Sequence, residues 1–225
     1  MYLKSNLYFK TTFYEQNIRH TLTKNDIFFD QFIQGLQLKS YEFNKYKSKK
    51  EKKTISIHVT GNKNKPSQQS QIKFKALEEG TFYARDLVSE PGNILHPDEY
   101  AKRINSLRKY GLKINVYDDK KLKKLGMHAL LGVGQGSIRG SYLVTMEWKG
   151  IKNNSKPLAF VGKGVCFDTG GYSLKPARFM EDMTYDMAGS ATVVGLMKNF
   201  ALRKAKINAV GVVGLVENMV SGNAQ

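Results

Sequence analysis

Two lysines and two carboxylates lie within a short, glycine-rich part of this sequence. Residues 162–171 contain Lys163, Asp168 and four glycines, and Lys175 and Asp186 follow shortly afterwards. The segment continues an apolar run, where a charged side chain is costly to bury unless it is paired, ligated or neutralised. Glycines in such a place let the backbone turn sharply and let a ligand approach closely. These residue types suit either an ion-pair network or a cation site.

Three interpretations of these charged residues follow from the residues alone. Asp186 is a candidate N-cap of the helix that follows it. Lys163 and Asp168 are a candidate structural ion pair. The third interpretation is a cation site at the ends of sheet strands, where open α/β folds bind ligands. Lys163 and Asp168 are an odd number of residues apart, so a straight strand would point them to opposite faces. A bend at Gly162 and Gly164 would let them converge.

The hydrophobic pattern predicts alternating strands and helices around this segment. Strands are predicted at 54–60, 113–117, 142–148, 158–168 and 207–216. Helices are predicted at 28–38, 74–88, 97–110, 119–125 and 187–202. Strand 207–216 is almost wholly apolar and strand 158–168 opens with an apolar run. Such strands are typical of the middle of a mostly parallel sheet, buried on both faces. The order of elements predicts an α/β fold.

Two polar or glycine-rich stretches are predicted to connect these elements. Residues 61–71 are polar and include Pro66, so a loop is predicted there, with a domain boundary between 60 and 75. The run GVGQGS at 132–137 superficially resembles a phosphate-binding loop. A dinucleotide fingerprint needs a strand before the glycines and a helix after them, whereas a strand follows here. We therefore interpret the run as a glycine turn between elements.

Several motifs carry a wider resemblance. They are ARDLVSEPGN at 84–93, GVGQGS at 132–137, VGKG at 161–164, FDTGG at 167–171, SLKP at 173–176, MTYDMAG at 183–189 and ENM at 217–219. With these motifs the sequence resembles, over roughly residues 74–225, the leucyl (cytosol) aminopeptidase family of dinuclear metallopeptidases. The resemblance implies that 74–225 form a three-layer α/β/α catalytic domain with a mixed sheet, incomplete here. Residues 1–73 would be the remnant of a smaller N-terminal α/β domain.

The same resemblance implies a role for each charged residue of the segment. Lys163, Asp168 and Asp186 would be metal ligands, and Asp168 would bridge two divalent ions, manganese or zinc. A lysine amine ligates a metal only in its neutral form, which burial and adjacent cations favour. Lys175 would be the catalytic lysine that polarises the scissile carbonyl. The family removes N-terminal residues, leucine preferred, from peptide substrates with a two-metal-activated water, and it assembles as a hexamer.

The sequence also departs from the family. The family's second metal motif, Asn-Thr-Asp-Ala-Glu-Gly-Arg, does not occur in these 225 residues. That motif supplies an aspartate, a glutamate that bridges both metals and an arginine. We therefore expect the 225 residues alone to be inactive or nearly so, either as a truncated fragment or as half of a split enzyme with a separate C-terminal half. The apolar strand 207–216 is expected to keep an uncovered edge, which favours aggregation.

The composition bounds the other functions. The net charge is +17 and the pI is about 9.8, which keeps a basic nucleic-acid-binding protein as an alternative. The basic residues are scattered, however, and the run at 45–53 is interpreted as a solvated loop, so nucleic acid is not the favoured partner. The single cysteine, Cys166, fits a reducing compartment and is predicted to be a small buried side chain, not a metal ligand. No apolar stretch approaches the roughly 20 residues of a transmembrane helix, and no secretory signal is recognised. A cytoplasmic location is therefore expected, with no membrane partner.

Overall fold

A computed structural model describes residues 27–49, 68–152 and 155–222. The predicted strand at 54–60 lies outside the described residues. The chain divides into two compact units, Met1–Glu78 and Glu79–Gln225. In the first unit, helix α1 spans Ile27–Lys39, which confirms the helix predicted at 28–38. Residues 45–49 are exposed, as expected of a solvated basic loop.

Helix α2 begins earlier than the sequence pattern predicts. It spans Gln68–Ser89, so residues 68–71 are helix and not loop. Gln and Lys have good helix propensity, and a polar first turn needs no apolar face to be helical. Pro66, which suggested the loop, lies before the helix begins.

The remaining elements follow the predicted alternation of strand and helix. Helices α3 to α7 and strands β1 to β4 span, in chain order, α3 Pro97–Asn105, β1 Lys113–Tyr117, α4 Asp119–Lys124, α5 His128–Gly134, β2 Tyr142–Lys149, β3 Leu158–Asp168, α6 Ala177–Met180, α7 Ala188–Leu202 and β4 Asn208–Asn218. Short 3-10 helices at Ser106–Tyr110 and Glu181–Tyr185 extend α3 and precede α7. None of the helices among the described residues is long and apolar enough to cross a lipid bilayer.

The glycine run at 132–137 is a turn only in its second half. Helix α5 contains the first glycines of the run, so the interpretation as a turn is wrong for residues 132–134. The second half and the residue after it contact the end of β4 and the segment that follows it. Ser137 Oγ donates to Glu217 Oε2 at 2.7 Å, and Ile138 N donates to Gly222 O at 3.0 Å. The run therefore ties the end of α5 to the end of β4.

The four strands form one mixed sheet in the order β1-β2-β4-β3. Strand β2 is antiparallel to β1 and β4, whereas β3 is parallel to β4. The predicted α/β class with a mixed sheet is confirmed. The expectation that the sheet is mostly parallel is wrong, because only the β3–β4 pairing of the described strands is parallel.

The position of β3 also differs from the prediction. It is an edge strand of the described sheet, and its residues Leu158 and Val161 are 58% and 78% exposed. Strand β4 is paired on both sides, so the open edge expected on 207–216 belongs to β3 instead. An apolar run indicates burial of side chains, but it does not say which strands pair with it.

Helices lie against both faces of β4. A Cβ on Gly211 would come within 2.9 Å of Val193 Cγ1 and Met197 Cγ, which belong to α7. A Cβ on Gly214 would lie 3.1 Å from Leu130 Cδ1 of α5. Because Gly211 and Gly214 are an odd number apart, they face opposite sides of the sheet. Helices α7 and α5 therefore form separate layers on the two sides.

Strand β3 approaches the start of α7 so closely that position 162 accommodates only glycine. A Cβ there would lie 2.6 Å from both Gly189 O and Ser190 Cα. Both contacts are backbone atoms, which cannot rotate away as a flexible side chain can. This approach holds the strand that carries Lys163 beside the residues that follow Asp186.

We expect Arg103→Ala to lower the free energy of unfolding by about 3–5 kcal/mol, because it breaks a buried ion pair. Arg103 Nη1 donates to Glu90 Oε1 at 2.8 Å, and the Glu90 side chain is only 2% exposed. Arg103 Nε also donates to Glu99 Oε1 at 2.9 Å. Urea unfolding followed by circular dichroism measures the loss. The matched control is Lys102→Ala, whose side chain is 82% exposed and 3.8 Å from Glu99 Oε2. It should change stability by less than about 0.5 kcal/mol, and equal losses for the two variants would contradict the prediction.

Candidate metal centre

A bulge near the end of β3 brings Lys163 and Asp168 to the same face of the sheet. Val165 pairs with Val216, but the next pairing is Asp168 with Asn218, so β3 contains one more residue than β4 between these pairs. An inserted residue of this kind reverses the alternation of side chains beyond it. Lys163 and Asp168, which a straight strand would point to opposite faces, therefore lie on the same face of the sheet.

The bend that the sequence analysis placed at Gly162 and Gly164 is wrong. Those residues pair regularly with Val213 and Leu215 of β4. Gly164 instead allows close packing, since a Cβ there would lie 2.4 Å from Gly214 O. A bulge depends on the partner strand, and the sequence of β3 by itself does not reveal the register.

Three donors surround the carboxylate of Asp168. Its Oδ1 accepts hydrogen bonds from Asn218 Nδ2 at 2.7 Å and Gly170 N at 2.9 Å. Its Oδ2 accepts from Lys175 Nζ at 2.5 Å. Burial acts to raise the pKa of Asp168, but the hydrogen bonds from Lys175, Gly170 and Asn218 outweigh it and hold that pKa below its usual range. The side chain is 16% exposed, so this is an ionised and largely sheltered carboxylate.

Asp186 pairs with Lys163 and keeps one oxygen without a partner. Lys163 Nζ lies 2.7 Å from Asp186 Oδ1, and Asp186 lies between the 3-10 helix Glu181–Tyr185 and α7. Asp186 Oδ2 is buried and accepts no hydrogen bond. An unsatisfied buried carboxylate oxygen is unfavourable, so it indicates a position where a further donor or a cation belongs.

The structure contradicts both of the simpler interpretations of these residues. The N-cap of α7 is Met187, with no side-chain cap, and the Asp186 carboxylate is directed to Lys163 instead. Lys163 and Asp168 do not form the ion pair considered from the sequence. Each has a different partner, because Lys175 reaches Asp168 through the turn that follows β3.

That turn depends on a glycine with positive φ. Gly170 has φ +89°, and a Cβ there would lie 2.3 Å from Ser173 O. Lys175 N donates to Thr169 O at 2.9 Å, which closes the turn and directs the lysine back to the end of β3. The Lys175 side chain is 29% exposed, so it contacts Asp168 and remains reachable from solvent.

The donor set fits a divalent ion of borderline hardness. Two carboxylates and an amine are ligands that manganese or zinc accepts. In the structure, the ammonium groups of Lys163 and Lys175 provide the positive charge beside Asp186 and Asp168. The Lys163 side chain is 60% exposed, so it is reachable from solvent. Among the described residues, no group of three or more His, Cys, Asp or Glu side chains is arranged to hold a metal.

Asn218 was not predicted to contact Asp168, although it lies in the motif ENM at 217–219. One signal for this contact is present in the sequence. Polar residues lie at or just after the ends of the two apolar strands 158–168 and 207–216, and the carboxyl ends of parallel strands meet at one edge of a sheet.

We expect Cys166→Ala to leave the stoichiometry of bound manganese unchanged. The Cys166 side chain is 1% exposed, and its Sγ lies 3.8 Å from Gly164 O, within the strand. Burial raises the pKa of the Cys166 thiol well above its ordinary value, and a metal binds the thiolate rather than the thiol. Manganese analysis of the two proteins tests this, with Ellman's reagent as a second measurement. The thiol should react only after unfolding, and loss of bound metal in the variant would contradict the prediction.

The fold and this arrangement define an α/β protein in which β3 contributes one residue to each of two lysine–carboxylate pairs. A family model described as the cytosol aminopeptidase family, catalytic domain, matches residues 82–225. The chain therefore belongs to the cytosol aminopeptidase family.

Individual relatives agree with this assignment. The chain is 51% identical over 201 residues to a probable cytosol aminopeptidase of Brucella ovis, with 85% of this chain and 40% of that protein covered. It is 53% identical over 197 residues to a probable cytosol aminopeptidase of Ehrlichia ruminantium, with 85% of this chain and 39% of the relative covered. The chain thus spans about 40% of the length of the curated relatives it matches.

Solved structures share the fold. The bottromycin maturation enzyme BotP in complex with Mn superposes with a TM-score of 0.74 at 31% identity, covering 87% of this chain and 41% of that one. The cytosol aminopeptidase from Coxiella burnetii superposes with a TM-score of 0.72 at 24% identity, covering 85% of this chain and 40% of that one. The second comparison supports the fold alone.

Proposed function

We propose that this chain is part of a metallo-aminopeptidase that removes N-terminal residues, leucine preferred, from peptides in the cytoplasm. The observation that carries the proposal is the buried, unpartnered Oδ2 of Asp186, which lies beside the amine of Lys163. Family membership supports the reaction class. The Mn complex of BotP supports a divalent metal, and the relatives' description as cytosol aminopeptidases supports the location.

In this proposal, each charged residue of the centre has one task. Lys163, Asp168 and Asp186 would hold manganese or zinc, with Asp168 as the ligand shared by a pair of ions. Bound there, the metal would supply an activated water and stabilise the charge that develops on the carbonyl oxygen. Lys175 donates a hydrogen bond to the scissile carbonyl oxygen and so stabilises the charge that develops there. To do so, its Nζ must leave Asp168 Oδ2, from which it is 2.5 Å away in the structure.

The 225 residues provide only part of such a centre. The described residues contribute two carboxylates and one amine to it, which is too little negative charge to hold two cations close together. We propose that the remaining ligands come from sequence beyond these residues, in a longer chain or a separate C-terminal half. We also propose that the complete protein assembles as a hexamer, as the family resemblance implies.

A chain extended with the missing ligands tests the proposed reaction. In the extended chain, the 225 residues are followed by the remaining catalytic-domain sequence of the Brucella ovis relative. With added Mn²⁺ it should hydrolyse leucine p-nitroanilide but not N-acetyl-leucine p-nitroanilide, since an aminopeptidase requires a free amino terminus. Equal hydrolysis of both substrates would contradict the proposal. So would the absence of hydrolysis by a folded extended chain that binds two Mn²⁺ ions.

A further inference from the structure

We infer that Asn218 is a positioning residue for the candidate metal centre: from the neighbouring strand, its carboxamide fixes the orientation of the Asp168 carboxylate. The inference rests on the proposed function, because it takes Asp168 to be a metal ligand. It adds a residue that does not touch metal or substrate and acts only through Asp168.

Asn218 contacts the end of β3 through both its side chain and its backbone. Its Nδ2 donates to Asp168 Oδ1 at 2.7 Å. Its backbone carbonyl accepts from Thr169 N and from Thr169 Oγ1, both at 2.9 Å. These backbone hydrogen bonds hold Asn218 against the end of β3, so its carboxamide keeps one position relative to Asp168. These contacts begin where the bulge ends, at the pairing of Asp168 with Asn218.

The two oxygens of Asp168 have different kinds of partner. Oδ1 accepts from Asn218 Nδ2 and Gly170 N, which are neutral donors. Oδ2 accepts from the Lys175 ammonium. A cation bound at Oδ2 would take the place of the Lys175 ammonium group, because both are positively charged. The donors to Oδ1 are neutral and can remain in place beside a bound cation. Because Asn218 and Gly170 hold Oδ1, the carboxylate keeps its orientation when Lys175 turns away from Oδ2.

The residue type at position 218 follows from this role. An ionised carboxylate accepts hydrogen bonds only, so the amide group of Asn218 must present its NH₂ to Asp168. An aspartate at the same place would set two negative charges side by side. The other end of the carboxamide lies against the turn, since a Cβ on Gly171 would be 3.0 Å from Asn218 Oδ1. Hydrogen-bond partners of ligating carboxylates are known to tune metal sites in this way.

The test is the Mn²⁺ dissociation constant of the 225-residue chain, measured from the electron paramagnetic resonance signal of free Mn²⁺. Asn218→Leu keeps the branched shape and the number of side-chain heavy atoms but has no donor, and it should raise the dissociation constant about 10–100-fold. Asn218→Gln retains a carboxamide and should recover part of the affinity. Asn208→Leu is the matched control, because Asn208 lies at the other end of β4, where its Oδ1 accepts from Ile151 N at 3.1 Å. The control should leave the dissociation constant unchanged.

Two further measurements separate this inference from the proposed function and from a loss of folding. Asp168→Asn should abolish Mn²⁺ binding. Suppose that Asp168→Asn abolishes binding but Asn218→Leu has the same Mn²⁺ dissociation constant as the unmodified chain. The positioning role of Asn218 is then overturned, whereas the proposed metal centre stands. If Asp168→Asn has no effect on Mn²⁺ binding, the proposed centre fails and the inference fails with it. If the 225 residues alone bind no Mn²⁺, the same variants are compared in the extended chain, where the same outcomes decide. Metal-free melting curves show whether each variant is folded. Asn218→Ser, too short to reach Asp168, replaces the leucine variant if that variant does not fold.

Discussion

Replacing Lys175 by alanine in the extended chain should lower kcat for leucine p-nitroanilide by about 10²–10³-fold, the loss typical of one donor to a developing oxyanion. Bound Mn²⁺ should remain, because Lys175 is a partner of Asp168 and not a proposed ligand. The melting temperature should change little, since the side chain is 29% exposed and its ion pair with Asp168 is partly solvated. Steady-state kinetics, metal analysis and thermal melting on the same preparations measure these three quantities.

The control for that experiment is Lys156→Ala, which removes an exposed lysine two residues before the start of β3. Its kcat should equal that of the unmodified extended chain. A Lys175→Ala protein that melts at a much lower temperature but keeps normal turnover per folded molecule would show a structural lysine instead. The catalytic assignment would then be wrong.

The 225 residues alone should bind no more than one Mn²⁺ or Zn²⁺ ion per chain, weakly, and should hydrolyse leucine p-nitroanilide at close to the background rate. With a single ion, nothing spans both the attacking water and the carbonyl oxygen. The comparison is with the extended chain, which should bind two ions and turn over substrate. The measurements are bound metal per chain after dialysis and release of p-nitroaniline with added Mn²⁺.

Two tightly bound ions and robust turnover by the 225 residues would overturn this prediction. They would mean that ligands from elsewhere in these residues replace the missing motif. A second consequence concerns solubility, because β3 forms one open edge of the described sheet and its Val161 is 78% exposed. An uncovered apolar edge favours association of chains, so we expect aggregation of the 225 residues to exceed that of the extended chain.

Local features of the site were readable from the sequence because they depend on neighbouring residues. Strand β3 was predicted with the bounds Leu158–Asp168 that the structure has, since an apolar run marks its beginning and the glycines that follow Asp168 mark its end. Helix α7 was predicted for the same reason. The four charged residues were noted because charges are rare at the end of an apolar strand, and the motifs around them carried the family resemblance.

The partners of those residues were not readable from the sequence. Whether Lys163 pairs with Asp168 or Asp186 depends on how β3 meets α7, which the close approach at Gly162 determines. The bulge before Asp168 depends on the register with β4, and so does the contact with Asn218. The place of β3 at the sheet edge depends on which strands pair with it. All of these are relations between distant segments, which the pattern of one segment does not encode.

Lys163, Asp168 and Asp186 are proposed to bind a divalent metal together. Anomalous diffraction at the zinc edge, recorded from crystals of this chain soaked in Zn²⁺, tests this directly. We predict one anomalous peak beside Asp186 Oδ2, the oxygen that has no partner in the structure. The peak should lie about 2.0–2.2 Å from that atom and from a carboxylate oxygen of Asp168. Lys163 Nζ should have turned from Asp186 Oδ1 toward the ion. No peak at this position, with the Lys163–Asp186 and Lys175–Asp168 pairs intact, would contradict the claim.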